Sequence, residues 1–326
     1  GVSDPHSLSP LRMTRAPSSP HPSPLVRPVL FLFAVAFAVP LLVGCDGPRR
    51  VGVLVLAHGG SERWNRAVET AVEQAQLVYP TQVLFGMGMH PQEVEPIQRA
   101  VDRLQAHGVS RLVVVPLLVS SSSEVMRQFQ YLFGLRDHGP WEAHVASLAL
   151  GVSVVMTDPL DDDPVVSEIL LERARALSRS PKEETVVLVA HGPTADEDEV
   201  QWLAVMARIA HRLATEGRFR AVVPVTMRDD ASAPVREAAI RRMRELVERH
   251  SRDGRTLVIP LLIAAGGIEA KIPERLEGLT YAYHGVPLLP HPKLSHWIAR
   301  RVEDALKRPS AAAVGPALPV AQANRL

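Results

Sequence analysis

A run of apolar, strand-forming residues that ends in His-Gly occurs twice in this chain, and each copy is followed at a similar distance by a second matching run. Val51–Ala57 leads into His58-Gly59-Gly60, and residues 186–190 lead into His191-Gly192-Pro193. The partner runs are residues 112–120, with Val-Pro-Leu-Leu at their centre and Glu124 beyond, and residues 257–264, with Ile-Pro-Leu-Leu and then Glu269. Two halves with the same order of parts read as a duplicated domain. They imply two copies of one site, or one site between them.

The length of 326 residues accommodates about two domains of ordinary size. With 36 Lys and Arg against 35 Asp and Glu, the net charge of +1 leaves little counterion release to drive nucleic-acid binding. A single cysteine excludes both an internal disulfide and a thiolate metal cluster.

That cysteine has a reading of its own. Residues 28–44 carry no charge, follow Arg12, Arg15 and Arg27, and end in Leu42-Val43-Gly44-Cys45. Basic region, apolar region and a small residue before Cys45 resemble a bacterial lipoprotein signal over residues 1–45, with Met13 able to serve as its start. About 17 apolar residues with two prolines are barely long enough to span a bilayer. The expectation is an exported protein, held on the outer face of a membrane by lipid on Cys45.

From Val51 onward short β-rich runs alternate with helical patterns, which predicts an α/β fold with parallel sheets. The first half, 51–178, reads as strands at 52–57, 83–87, 112–119 and 144–148, with helices at 62–78, 94–106 and 124–132. Gly108 suits the residue after a helix end. Asp163 and Pro164 open a linking helix to about 177. The second half, 182–307, repeats the order: strands at 186–190, 222–226 and 257–263, helices at 197–215, 235–250, 270–276 and 294–306. An Ala/Pro-rich tail, 308–326, is expected to be disordered.

In open α/β sheets, ligands collect at the carboxyl ends of the strands. His58 and His191 each follow a first strand, and Glu124 and Glu269 each follow a third, so each lobe would pair one imidazole with one carboxylate. Such a pair can hold a divalent first-row metal or accept protons. A histidine there can also do no more than support a turn, a reading that duplication weakens. An esterase is excluded by the lack of Gly-x-Ser-x-Gly. Histidine phosphatases carry Arg before the His, where Ala57 and Ala190 stand. Without Gly-x-Gly-x-x-Gly or a Walker lysine, no nucleotide is expected.

Together, Leu56-Ala-His-Gly-Gly60, Val113-Val-Val-Pro-Leu-Leu-Val-Ser120 and their second copies resemble the sirohydrochlorin chelatases, cobaltochelatases included, which are class II chelatases related to ferrochelatase. The resemblance spans about residues 51–301. It implies two similar Rossmann-like lobes around a tetrapyrrole cleft, with Co²⁺ or Fe²⁺ as metal substrate inserted without ATP. His58 takes the place of the family's metal-binding histidine, and His191 is its repeat. Where the family places a second histidine after the Pro-Leu-Leu strand, the nearest replacements are Glu124 and Glu269.

Insertion requires a base, a weakly held metal and a cleft that bends the ring. His58 is the first choice, with Glu124 assisting as ligand or proton acceptor. His90 would reach the same edge, and Arg63, Arg127 and Arg228 would answer a polyanionic macrocycle, although surface roles suit each of them. His291 and His296 read as a helix entrance, with Trp297 and Ile298 on the core. The stripe of Val200, Leu203, Met206 and Leu213 reads as a core face. The alternative to an exported chelatase is a non-enzymatic, membrane-anchored metal- or tetrapyrrole-binding protein on the same scaffold.

Overall fold

Side-chain alternation along the central strands decides the layers. In the computed structural model, which describes residues 50–86, 91–137, 139 and 144–308, β1 (Val51–Ala57) sends Val53, Val55 and Ala57 into one core and Leu54 and Leu56 into another. β5 (Glu184–Ala190) does the same, with Val186, Leu188 and Ala190 on one face and Val187 and Val189 on the other. Each strand is covered on both sides, so the runs are continuously apolar, as parallel sheets require. Each fully buried Leu or Val contributes about 1.5–3 kcal/mol.

The first sheet has the order β2 (Thr81–Phe85), β1, β3 (Arg111–Leu117), β4 (Ser153–Met156), all parallel. The second has β6 (Ala221–Thr226), β5, β7 (Arg255–Leu261), β8 (Ala282–Tyr283), again parallel. Register repeats with topology: Pro116 lies opposite Leu56, and Pro260 opposite Val189. The helices are α1 (Glu62–Gln74), α2 (Pro91–Ala106), α3 (Glu124–Leu132), α4 (Pro164–Leu177), α5 (Asp196–Gly217), α6 (Ala233–Asp253), α7 (Ile268–Arg275) and α8 (Pro292–Lys307).

The lobes exchange their last helices. α4 follows the first sheet in sequence but packs on α5 and β7; α8 follows the second and packs on α1 and β3. A single core therefore runs through the inner faces of both sheets. The same device fixes each exchange. Arg255, first residue of β7, donates to the carbonyl of Leu177 at the end of α4 (2.6 Å), and Arg111, first residue of β3, donates to that of Ala305 near the end of α8 (3.0 Å). Guanidinium groups thus satisfy carbonyls left over at both helix C-termini and match their partial negative charge.

Asp163 caps α4 by accepting from the Val165 amide at 3.0 Å, with Pro164 in the first turn, as the sequence predicts. Gly108 takes φ +81° after α2, and Trp297 and Ile298 are buried. The strand expected at 144–148 is instead a loop: Val145 and Leu148 are buried against α3, where the Tyr131 hydroxyl donates to the Val145 carbonyl at 2.7 Å. Their burial mimics a strand without a ladder, and the actual fourth strand is Ser153–Met156. Helix α1 ends at Gln74 rather than 78. Val200 leaves the α5 core stripe and is 64% exposed. No helix among the described residues is long and apolar enough to cross a membrane. Cys45, His90 and the tail beyond 308 lie outside the described residues.

Candidate functional site

The turn after the first strand is built identically in the two lobes. Gly59 and Gly192 adopt φ +84° and +79°, conformations that disfavour any side chain. A Cβ at Gly59 would lie 3.0 Å from that of Phe85 at the end of β2, and one at Gly192 only 2.6 Å from that of Thr226 at the end of β6. In each turn the carbonyl of the glycine meets the preceding imidazole: His58 Nδ1 to Gly59 O at 2.9 Å, His191 Nδ1 to Gly192 O at 2.9 Å. A carbonyl only accepts, so Nδ1 carries a proton in both rings and Nε2 is the nitrogen left to face the site.

The second lobe's turn acts electrostatically on His58. His191 and Asp230 are the groups whose charge reaches His58, and His191 Nε2 lies 3.4 Å from Asp230 Oδ2. Burial pushes His58 below the ordinary imidazole range; the Gly59 carbonyl opposes that shift, and His191 adds to it. His58 is therefore held neutral, as a metal ligand or proton acceptor must be.

Contacts between the lobes repeat as well. Trp64 of α1 packs so closely on the loop before α7 that a Cβ at Gly266 would lie 2.9 Å from its ring. Trp202 of α5 donates its indole N–H to the Ser122 carbonyl in the loop before α3, at 2.7 Å. Each lobe thus presses a tryptophan onto the loop that follows the other lobe's third strand.

The carboxylates expected to pair with the histidines behave differently. Glu269 is a helix cap: its Oε2 accepts from the amides of Gly266 (3.0 Å) and Gly267 (2.9 Å) at the start of α7, and strand register sets it opposite Val125 rather than Glu124. In the first lobe Ser123 caps α3 through Met126 N at 3.2 Å, whereas the equivalent Gly267 has no side chain, so the cap passes to Glu269. Glu124 opens α3; its Oε1 accepts from Gln128 at 3.5 Å and its charge acts on Arg127. Among the described residues no group of three His, Cys, Asp or Glu is assembled to hold a metal.

Two of the expected cleft cations are committed elsewhere. Arg127 makes a bidentate pair with Asp198 of α5 (both contacts 2.8 Å), tying the lobes together. Arg228, at φ +49°, donates to Pro193 O (3.0 Å), Thr194 O (2.5 Å) and Asp196 Oδ1 (2.6 Å), which locks the loop after His191. Arg63 is exposed on α1 and lines a groove of about 490 Å³ with Leu289, Pro290 and His291. His291 caps α8 by accepting from Lys293 N at 3.2 Å. Asp230 went unnoticed in the sequence. Its only signal was position, four residues past the end of β6, much as His90 lies five past the end of β2.

Residues 52–177, the first lobe with α4, match the CbiX family. This lobe is similar in sequence to the sirohydrochlorin cobaltochelatases. It is 24% identical over 124 residues to the sirohydrochlorin cobaltochelatase of Saccharolobus islandicus, and 25% over 139 residues to that of Methanothermobacter thermautotrophicus. These matches cover 38% and 39% of this chain but 92% of each relative, so the relatives are of one-lobe length. Among solved structures, the whole two-lobe fold is similar to SirB from Bacillus subtilis with Fe³⁺ (TM-score 0.57, 17% identity, 78% of this chain and 95% of that one). CbiX, described as the terminal enzyme for siroheme biosynthesis in denitrifying bacteria, has a TM-score of 0.50 at 18% identity, covering 78% of this chain and 99% of that one. The two-lobed α/β chelatase fold is thus established.

Proposed function

We propose that the protein inserts Co²⁺ or Fe²⁺ into a sirohydrochlorin-type tetrapyrrole where the two lobes meet. One observation carries this reading: two imidazoles, one per lobe, share one electrostatic neighbourhood with matching Nδ1–H tautomers. In their neutral forms the two rings would offer Nε2 lone pairs to a metal substrate, and Asp230 adds a carboxylate beside His191. Two ligands and one exposed carboxylate hold a metal loosely, which suits an ion that must be handed on. Insertion exchanges two pyrrolic protons for the metal. As the metal passes to the ring, the Nε2 lone pair it leaves on His58 accepts one of those protons, with Glu124 assisting as acceptor or ligand. Arg63 is the remaining described cation of those proposed for the macrocycle's carboxylates.

An anaerobic assay with sirohydrochlorin and Co²⁺ or Fe²⁺, followed by absorbance, tests the proposal. Insertion should occur in the wild type and fall at least 100-fold in His58→Ala, on the order of a lost general base. Metal binding without insertion would leave the alternative, a binding protein on a chelatase scaffold. The signal-like segment adds a second proposal: export, with lipid on Cys45. Cys45→Ala should then shift the protein out of the membrane fraction or leave it uncleaved.

A further inference from the structure

The strand N-terminal edge of the first lobe, opposite the histidine site, carries an unusual combination of groups. Val78, in the turn between α1 and β2, is 86% exposed, the most exposed large hydrophobic residue among the described residues. Leu77 and Tyr79 beside it are only half-buried. The Pro80 carbonyl accepts from Val53 N at 2.9 Å, so this turn stands next to the start of β1. Arg50 precedes β1 and lies over Gly108 at the end of α2, where exposed Arg103 and His107 also sit. An apolar tip with a neighbouring tyrosine and a rim of arginines is the composition of a surface that meets lipid headgroups.

The sequence says which surface that would be. Five residues separate Cys45 from Val51, and even fully extended they reach about 20 Å. Resting on the lipidation proposed above, we infer that this edge docks on the anionic lipid surface that carries the anchor, with Val78 at the headgroup boundary and Arg50 and Arg103 on lipid phosphates. β1, seven residues long, then sets His58 about 20 Å farther from the bilayer. The histidine site faces the aqueous compartment, and metal and macrocycle arrive from solution rather than from the membrane.

The test uses lipidated protein in phosphatidylglycerol vesicles. With Cys45 acylated the chain has no other thiol, so nitroxide labels report single introduced cysteines, Val78→Cys at the edge and Glu197→Cys near the start of α5. The label at 78 should become accessible to oxygen and shielded from a water-soluble relaxant, while the label at 197 stays aqueous. Adding Arg50→Glu and Arg103→Glu should return the first label to water while the lipid still retains the protein on the vesicles. A fully aqueous label at 78 on vesicle-bound, lipidated protein overturns the docking alone. An unmodified Cys45 by mass spectrometry, with no vesicle retention, overturns the docking and the anchor together.

Discussion

The two lobes share strand order, register and the His-Gly turn, yet the sequences that follow their second strands differ in charge. In the second lobe the segment after β6 is an ionic staple. Arg228 binds two carbonyls and Asp196, while Asp229 takes hydrogen bonds from Lys271 (2.7 Å) and Arg275 that hold its carboxyl below the usual range despite burial. In the first lobe the corresponding residues are Gly86-Met87-Gly88-Met89-His90. That sequence has no charge with which to form such a staple. The two His-Gly turns share one geometry while the residues at these neighbouring positions differ in chemistry.

The largest break in this comparison should come from Arg228→Ala. It strands the Pro193 and Thr194 carbonyls, and since Asp196 is well exposed, lost carbonyl bonds dominate over the lost ion pair. A cost of about 3 kcal/mol is expected in denaturant unfolding. Arg127→Ala removes only the inter-lobe pair with Asp198 and should cost about 1–2 kcal/mol. A larger loss for Arg127 would mean that the lobe interface, not the second-lobe staple, limits stability.

Next comes the pair of turn glycines. Gly192→Ala forces a left-handed alanine and a contact of 2.6 Å with Thr226, whereas Gly59→Ala meets Phe85 at 3.0 Å. Expected losses are about 3 and about 1–2 kcal/mol, read as differences in unfolding midpoint. Equal losses would show that the first-lobe turn is as tightly backed as the second.

The helix caps should differ in partner and agree in size. Ser123→Ala and Glu269→Ala should each cost about 1 kcal/mol, and Glu269→Ala should leave metal binding unchanged. A fall in Co²⁺ affinity on losing Glu269 would restore it as a ligand.

Much of this was legible in the sequence, for physical reasons that also mark the limits. Central strands buried on both faces are unbroken apolar runs, so β1, β3, β5 and β7 stood out. The fourth strand did not: Val145 and Leu148 are as apolar as Ser153–Met156, and only a ladder partner distinguishes them. Two-residue β8 is too short to show periodicity. His58 and His191 were visible because they recur. Glu269 read as a possible ligand because its capping bonds to the Gly266 and Gly267 amides form only once α7 is in place. Arg127 and Arg228 read as free cations because Asp198 and Asp196 reach them only through the fold.

The smallest expected effect is on acid stability. The folded pKa of His58 lies below its unfolded value near 6.5, so in the window between them the unfolded chain binds the extra proton. Stability is full above the unfolded value and falls as pH drops toward the folded one. His58→Ala should flatten that part of the stability–pH curve. An unchanged curve would mean that the imidazole is not buried neutral.

The central claim, one metal site made from a histidine of each lobe, is tested most directly by long-range ¹H–¹⁵N spectra of ¹⁵N-histidine-labelled protein during an anaerobic Co²⁺ titration. Both rings should begin as Nδ1–H tautomers, and the Nε2 signals of His58 and His191 should broaden together at one equivalent of metal. Broadening of only one of them, or of the two at separate equivalents, would contradict a shared site.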